Sequence, residues 1–460
     1  MSFALTAEAA SAVPITLVPP GGLEAALGAL GDTERRWLAQ TGFTGEPGAV
    51  ALVPGAAGGL GRVLVGWKPE EPVWALGALP EALPVGTYAL DAKPGPASAT
   101  RMALGWALGA YAFTRYRARS RAPAMLLWPG EADRREVERL ARGICLARDL
   151  INTPAEEMGP AELAAAAETL AGAHKAACTV LVGDDLLKHN YPMIHAVGRA
   201  SARAPRLVDL AWGDSKAPRV TLVGKGVCFD SGGLDLKPSA GMRLMKKDMG
   251  GAATLLGLAS AIMDAGLPVR LRVLIPAVEN FVSANAIRPL DVIRTRKGLT
   301  VEIGNTDAEG RLILCDALTE ADSESPALIV DAATLTGAAR VALGPDLPAL
   351  FSNNDGLAEA LLAAAAAERD PLWRLPLWQP YRKMLDSKVA DLNNIWDSTF
   401  AGAISAALYL AEFVRPATPW AHLDTYAWNA TARPGRPEGG EALGLRALYA
   451  AIKTRFSTAR

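Results

Sequence analysis

The residues with the plainest chemical meaning lie in Asn305-Thr306-Asp307-Ala308-Glu309-Gly310-Arg311-Leu312. Asp307, Glu309 and Arg311 put two carboxylates and a guanidinium within five residues, between a strand-like apolar run and a helix-like one. A divalent cation would account for the acids, and an anion or oxyanion beside it would account for the arginine. A second stretch runs from Gly224 through Lys225, Cys228, Asp230, Gly232, Gly233 and Lys237, then on through Met245, Lys246, Lys247 and Asp248 to Gly251. Its glycines suit tight turns and close approach by a ligand. Asp230 and Asp248 bring the candidate carboxylates to four. Four acids in one place repel and raise one another's pKa unless cations neutralise them, as two divalent ions would. Each residue alone has a plainer reading. Asp230 or Asp248 would be a cap or a surface acid, Lys225 and Lys237 solvated charges, and Arg311 a helix-start residue in a salt bridge. The loop also lacks the lysine-serine/threonine spacing of a phosphate-binding P-loop. Only the combination points to a site.

Elements to position these residues are legible around them. Val137, Leu140, Ile144, Ala147 and Ile151 recur at helical spacing, and Asn152-Thr153-Pro154 ends the run. This predicts a linking helix over 131–151, after an N-terminal α/β domain over 1–130 and before a catalytic domain over 152–460. In the last segment, strand-like runs (Arg206 to Trp212, Val220 to Val223, Val269 to Ile275, Leu328 to Val330) alternate with helix-like ones (Gly250 to Ala265, Arg311 to Asp322). The expected fold class is therefore α/β. It comprises a small N-terminal α/β domain and a larger catalytic one, whose central, mostly parallel sheet is flanked by helices. Ligands in such sheets sit at the carboxyl ends of strands, where both stretches fall.

Composition narrows the function. With 460 residues and a formal net charge of −1, the chain has no general pull toward nucleic acid or anionic membrane. Arg294, Arg296 and Lys297 form a small basic cluster that reads as a hairpin turn before Gly298. The four cysteines (Cys145, Cys178, Cys228, Cys315) show no CxxC spacing, which suits a reducing compartment. Met1 to Val18 lacks the basic start of a secretory signal, and the longest apolar run, Ala360 to Ala367, is too short to span a bilayer. A cytoplasmic protein is the expectation. Its four histidines (His174, His189, His195, His422) avoid both stretches and form no HExxH, which disfavours a single-zinc histidine site.

Taken together, GKGVCFDSGGLDLKP, KKDMGGAA and NTDAEGRL resemble the leucine aminopeptidase family of dinuclear zinc exopeptidases, or cytosol aminopeptidases. The similarity continues through Asp331 to Gly337, Trp373 to Leu377 and Ala401 to Ile404, and reaches back to Ala147 to Leu150 with Asn152-Thr153-Pro154. The resemblance implies that Lys225, Asp230, Asp248 and Glu309 ligate one metal, while Asp230, Asp307 and Glu309 ligate the other. It makes Lys237 and Arg311 the catalytic non-ligand residues, and puts Met245, Thr334, Leu335 and Gly337 in the substrate pocket. Asp248, with one metal, would also hold the substrate's α-amino group. An oxygen-rich pair of sites suits Zn or Mn foremost, with Mg or Co as further candidates. The implied reaction is hydrolysis of the N-terminal peptide bond of short peptides by a metal-bridged water. Lys237 would stabilise the oxyanion, and a bicarbonate held by Arg311 would act as general base.

The resemblance also implies a homohexamer. The weighed alternatives are a DNA-binding or architectural protein, which the near-neutral charge disfavours, and a silent homologue, which the full set of motif positions disfavours. Two departures stand out. Cys228 stands where the family commonly has Thr, and alternation would give it a side shared with Asp230. It reads as a small buried residue in place of Thr rather than a thiolate ligand, with a testable sensitivity to thiol reagents. His422 to Trp428 is shorter and bulkier than usual, which singles out Tyr426 and prevents a leucine preference from being carried over.

Overall fold

The computed structural model describes residues 3–56 and 58–457; the outer ends of the expected segments, 1–2 and 458–460, lie outside the described residues. Contacts divide the chain into one unit of Met1–Cys145 with Ala430–Glu438 and another of Leu146–Asn429 with Gly439–Arg460. Helix Arg134–Asn152 contains the division point between Cys145 and Leu146. Among the described residues no helix is long and apolar enough to cross a membrane.

The first unit is built on a six-stranded sheet in which only the edge pair, Val50–Pro54 with Leu60–Gly66, is antiparallel. Strand Leu60–Gly66 is apolar on both faces because both are covered. Val63 and Val65 pack with Trp106 and Leu126, while Leu64 packs with Val18 and Leu38. Residues from the far end of the sequence close this unit. Gly435 donates its N–H to the Gly77 carbonyl at 3.0 Å, and the Arg436 guanidinium lies 3.9 Å from the centre of the Trp74 ring.

The second unit has a nine-stranded sheet whose middle is parallel. Trp420–Asp424, Leu328–Ala333, Arg219–Gly224 and Arg270–Asn280 lie side by side, with Gly226–Asp230 added in parallel to the last. Antiparallel strands flank this run: Arg206–Trp212 and Ala177–Val182 on one side, Ala349–Ser352 on the other. Strand Leu328–Ala333 is buried along its whole length, as a parallel strand covered on both faces must be. Helices Gly250–Ala265 and Glu309–Ser323 bury nearly all their residues in the layers above and below. The first approaches the sheet very closely, since a Cβ at Gly251 would fall 2.0 Å from the Ala332 carbonyl oxygen. That contact fixes the preceding turn, Met245–Met249, at the strand ends. The expected α/β class with a mostly parallel central sheet is borne out. So is the hairpin, formed by Val292–Arg294 and Thr300–Glu302 with Gly298 in its turn at φ +93°.

The alternation expected of Cys228 is interrupted. The register between Gly226–Asp230 and Arg270–Asn280 shifts between Val227 and Phe229, a bulge at Cys228. The thiol is wholly buried, donates to the Gly226 carbonyl at 3.6 Å, and is pushed well above the ordinary thiol range by that burial and by Glu279. Such a thiol is inert, so the expected reactivity toward thiol reagents is withdrawn.

Candidate metal centre

The charged residues singled out in the two stretches come from strand ends, helix starts and the loops between them in the second unit. Lys225 follows strand Arg219–Gly224 and is anchored on both sides: its N–H donates to the Ala332 carbonyl, and its own carbonyl accepts from Ala252, both at 3.0 Å. Asp230 closes strand Gly226–Asp230, Asp248 lies in the turn before helix Gly250–Ala265, and Glu309 opens helix Glu309–Ser323. The acid at that helix N-terminus also meets favourable backbone charge. Between Asp230 and Lys237 the chain doubles back through Gly232, whose φ of +91° suits glycine, and Lys237 N–H bonds the Ser231 carbonyl at 2.9 Å.

These placements assemble one cluster. The Lys225 ammonium lies 2.7 Å from Asp248 Oδ2 and 2.8 Å from Glu309 Oε1, and donates to the Thr334 carbonyl at 2.9 Å. Lys237 pairs with Asp230 Oδ2 at 2.7 Å and with Asp307. Asp230 Oδ1 accepts from Gly232 N–H and from Asn280 Nδ2, both at 2.9 Å, while Asp248 Oδ1 accepts the Thr334 hydroxyl at 2.7 Å. Two ammonium groups cannot neutralise four carboxylates, and Glu309 and Asp307 register the excess. At Asp248 burial is outweighed by Lys225 and Lys247, which hold it below the usual carboxylate range. Burial and then Asp230 push Glu309 well above the usual carboxylate range, against the pull of Lys225. The same two causes raise Asp307 to about 6. Burial opposes ionisation of Lys225 as well, but Asp248, Glu309 and Asp230 outweigh it and hold the ammonium above its ordinary value.

The donor set fits metal ions. Asp230, Asp307 and Glu309 offer oxygens that lie within 4.8 Å of one another. Asp248 Oδ2, Asp307 Oδ1 and Glu309 Oε1 are buried and meet only a shared lysine ammonium, Lys225 or Lys237. An excess of buried carboxylates over ammonium groups is the charge balance that a divalent ion would correct. Arg311 is buried two residues further along the helix; its Nη1 donates to the Asn394 carbonyl at 2.7 Å, while its Nε has no hydrogen-bond partner among the described residues.

A cavity of about 530 Å³ opens onto the cluster, and Met245, Thr334, Leu335 and Gly337 line it together with Lys225, Asp230, Lys237, Asp248 and Asp307. Glu309 and Arg311 are not in the lining. Cys228 is absent from it too, whereas Tyr426 lines it.

Several residues that shape the site carried no clear signal in the sequence. Asp424 holds the Thr334–Gly337 loop by accepting from Leu335 N–H at 3.0 Å, Thr336 N–H at 3.2 Å and the Thr336 hydroxyl at 2.6 Å. Asn280 ties Asp230 to the loop of Asp307 by donating also to the Thr306 carbonyl at 3.0 Å; a polar residue closing an apolar strand was the available hint. Asn394 accepts from Gly304 and Asn305 N–H and so seats the same loop from a distant segment that nothing local marks. Lys247 is buried against the cavity, which holds its ammonium down to about 8.

The chain resembles known proteins along nearly its whole length. Residues 145–449 match the model of the cytosol aminopeptidase family, catalytic domain, and residues 13–129 match the M17 aminopeptidase, N-terminal domain. A probable cytosol aminopeptidase of Syntrophotalea carbinolica is 46% identical over 313 residues, covering 67% of this chain and 63% of that protein, just under two thirds of its length. The crystal structure of a cytosol aminopeptidase from Coxiella burnetii superposes with a TM-score of 0.94 at 49% identity, covering 98% of this chain and 99% of that one. The bottromycin maturation enzyme BotP in complex with Mn superposes with a TM-score of 0.87 at 36% identity, over 97% of this chain and 100% of that one.

Proposed function

The chain belongs to the cytosol aminopeptidase family, and from that premise we propose that it is a metal-dependent aminopeptidase removing the first residue of short peptides. The observation that carries the reading is the convergence of four carboxylates, Asp230, Asp248, Asp307 and Glu309, on only two ammonium groups, Lys225 and Lys237. Asp230, Asp307 and Glu309 would hold one divalent ion, and Lys225, Asp230, Asp248 and Glu309 the other. Zn and Mn suit this set best, and a relative of the same fold is described in complex with Mn. When bound, such ions lower the pKa of a shared water and polarise a carbonyl.

The protein's own groups do the rest. Lys225 must give up its proton to serve as a ligand, which the approach of dications favours. Lys237, only partly exposed beside Asp230 and Asp307, is poised to donate to the carbonyl oxygen as negative charge develops there. Asp248 would receive the substrate's free α-amino group, restricting cleavage to the first peptide bond. Met245, Thr334, Leu335 and Gly337 would border the substrate. Arg311, with a buried Nε that no protein acceptor meets, suits a small anion such as bicarbonate acting as the base. A cytoplasmic setting and a homohexamer belong to the same proposal, and exposed Trp373, Trp378 and Phe400 would suit contacts between subunits.

Hydrolysis of aminoacyl-anilides and dipeptides, with and without chelator and with Mn or Zn restored, tests the reading. Activity lost to chelation and regained with metal supports it. Activity that survives complete metal removal, or that prefers N-blocked peptides, overturns it.

A further inference from the structure

The lining of the cavity carries charge of both signs. Asp230, Asp248 and Asp307 contribute the acids, while Lys247 and Arg340 bring cations that the metal centre does not use. Both cations face one ring: the Lys247 ammonium lies 4.5 Å from the centre of Tyr426, and the Arg340 guanidinium 5.0 Å from it. A ring face attracts cations but accepts no conventional hydrogen bond, so the N–H donors of both groups stay open.

Lys247 is the more telling of the two. It is only 4% exposed, and among the described residues its ammonium has no ion-pair or hydrogen-bond partner. The neighbouring acids are committed elsewhere. Asp248 is held by Lys225 and the Thr334 hydroxyl, and Asp424 by Leu335 and Thr336. A buried cation without a counter-ion is costly, and an anion arriving in the cavity relieves that cost. Arg340, exposed on helix Gly337–Leu343, adds a planar fork matched to a carboxylate.

We propose that Lys247 and Arg340, beside Tyr426, form a carboxylate-binding subsite of the peptide cleft. It selects substrates with a carboxylate near the scissile bond, either on the first residue's side chain or as the free C-terminus of a dipeptide. The inference rests on the aminopeptidase reading and adds a substrate class to it. Tyr426 supplies the wall that keeps both cations at the cavity while leaving their donors free.

The test compares kcat/KM of the metal-loaded protein for two pairs of substrates that differ only in charge. Glutamyl- against glutaminyl-anilide reports a side-chain carboxylate, and leucyl-glycine against leucyl-glycinamide reports a C-terminal one. A preference of about tenfold or more for the charged member of at least one pair is expected. Lys247→Met should bring that ratio toward one, and Lys247→Arg should keep it. Arg340→Met, at an exposed position, reads the same ratio if Lys247→Met does not fold, with melting temperature and metal content checked for each variant. Ratios near one for both pairs in the unmodified protein overturn the subsite, as does a preference that survives both methionine variants. Failure to cleave any anilide or dipeptide overturns the aminopeptidase reading and the subsite with it, whereas cleavage without charge preference removes the subsite alone.

Discussion

Two sets of buried carboxylates in the second unit are treated in opposite ways. Asp331, inside the central sheet, is matched group for group: Oδ1 meets His422 Nδ1 and Oδ2 meets Trp420 Nε1, both at 2.6 Å. Glu441 is matched as fully, by Arg148 Nε at 3.1 Å and Nη2 at 2.9 Å, and by Asn429 Nδ2 and Ala442 N–H at 3.0 Å. Asp248, Asp307 and Glu309, also at least half-buried, share two lysines with Asp230, so that four acids meet two ammonium groups. Burial of charge is thus common to both sets, and only the second leaves an excess of negative charge. A matched carboxylate holds the fold together; an unmatched cluster is built to receive something.

The contrast can be broken most sharply at Glu309. Glu309→Gln should lower kcat on the order of a thousandfold or more, because metal binding supplies several kcal/mol of barrier lowering. The chelated variant should melt at or above the temperature of the chelated parent, since the substitution relieves an acidic excess. A clear drop in melting temperature without metal would mean that Glu309 is structural after all. The opposite result is expected of Arg148→Met, which strands buried Glu441. Urea titration should show a loss of roughly 3–5 kcal/mol, with or without metal. A milder change would mean that the pair is less well matched than its geometry suggests.

Lys237→Ala should reduce turnover by about a hundred- to a thousandfold, the usual cost of losing one oxyanion donor, while metal content measured by elemental analysis stays near that of the parent. Metal loss in step with activity would make Lys237 a support of the site instead. The smallest effect is expected at His422. Burial alone would lower its pKa, but Asp331 outweighs burial and raises it above 6.5. Because the folded value lies above the unfolded one, the stabilisation is fully present below the unfolded pKa. It is lost as pH rises through the raised folded value. The urea midpoint should therefore fall as pH rises above about 6.5, and His422→Gln should flatten that slope. A slope identical in parent and variant would assign the pH dependence to other groups.

Much of this arrangement could be read along the chain. Strand Arg206–Trp212 and helix Gly250–Ala265 have the bounds that their apolar patterns predict; the helix buries every residue from Gly250 to Met263, and the strand buries Leu207, Val208 and Leu210. Helix Glu309–Ser323 starts two residues before the expected Arg311, since Glu309 is already inside it rather than in the preceding loop. The bulge at Cys228 left no trace in alternation, which counts residues and cannot register an unpaired one. Nor could local pattern announce that residues 430–438 pack with a unit that otherwise ends at Cys145.

The sequence by itself determined which residues are the candidates for the chemistry. Four acids and two lysines between closely spaced glycines leave few uses other than a cation centre, whatever their distances. Only the tertiary structure decided how they are shared: Lys225 serves Asp248 and Glu309, and Lys237 serves Asp230 and Asp307. It also decided that Lys247, one more lysine in a basic run, is buried without a counter-ion beside Tyr426. Side-chain type is a property of position in the chain. Satisfaction of a hydrogen bond or a charge depends on neighbours brought from tens to hundreds of residues away, and folding alone supplies those.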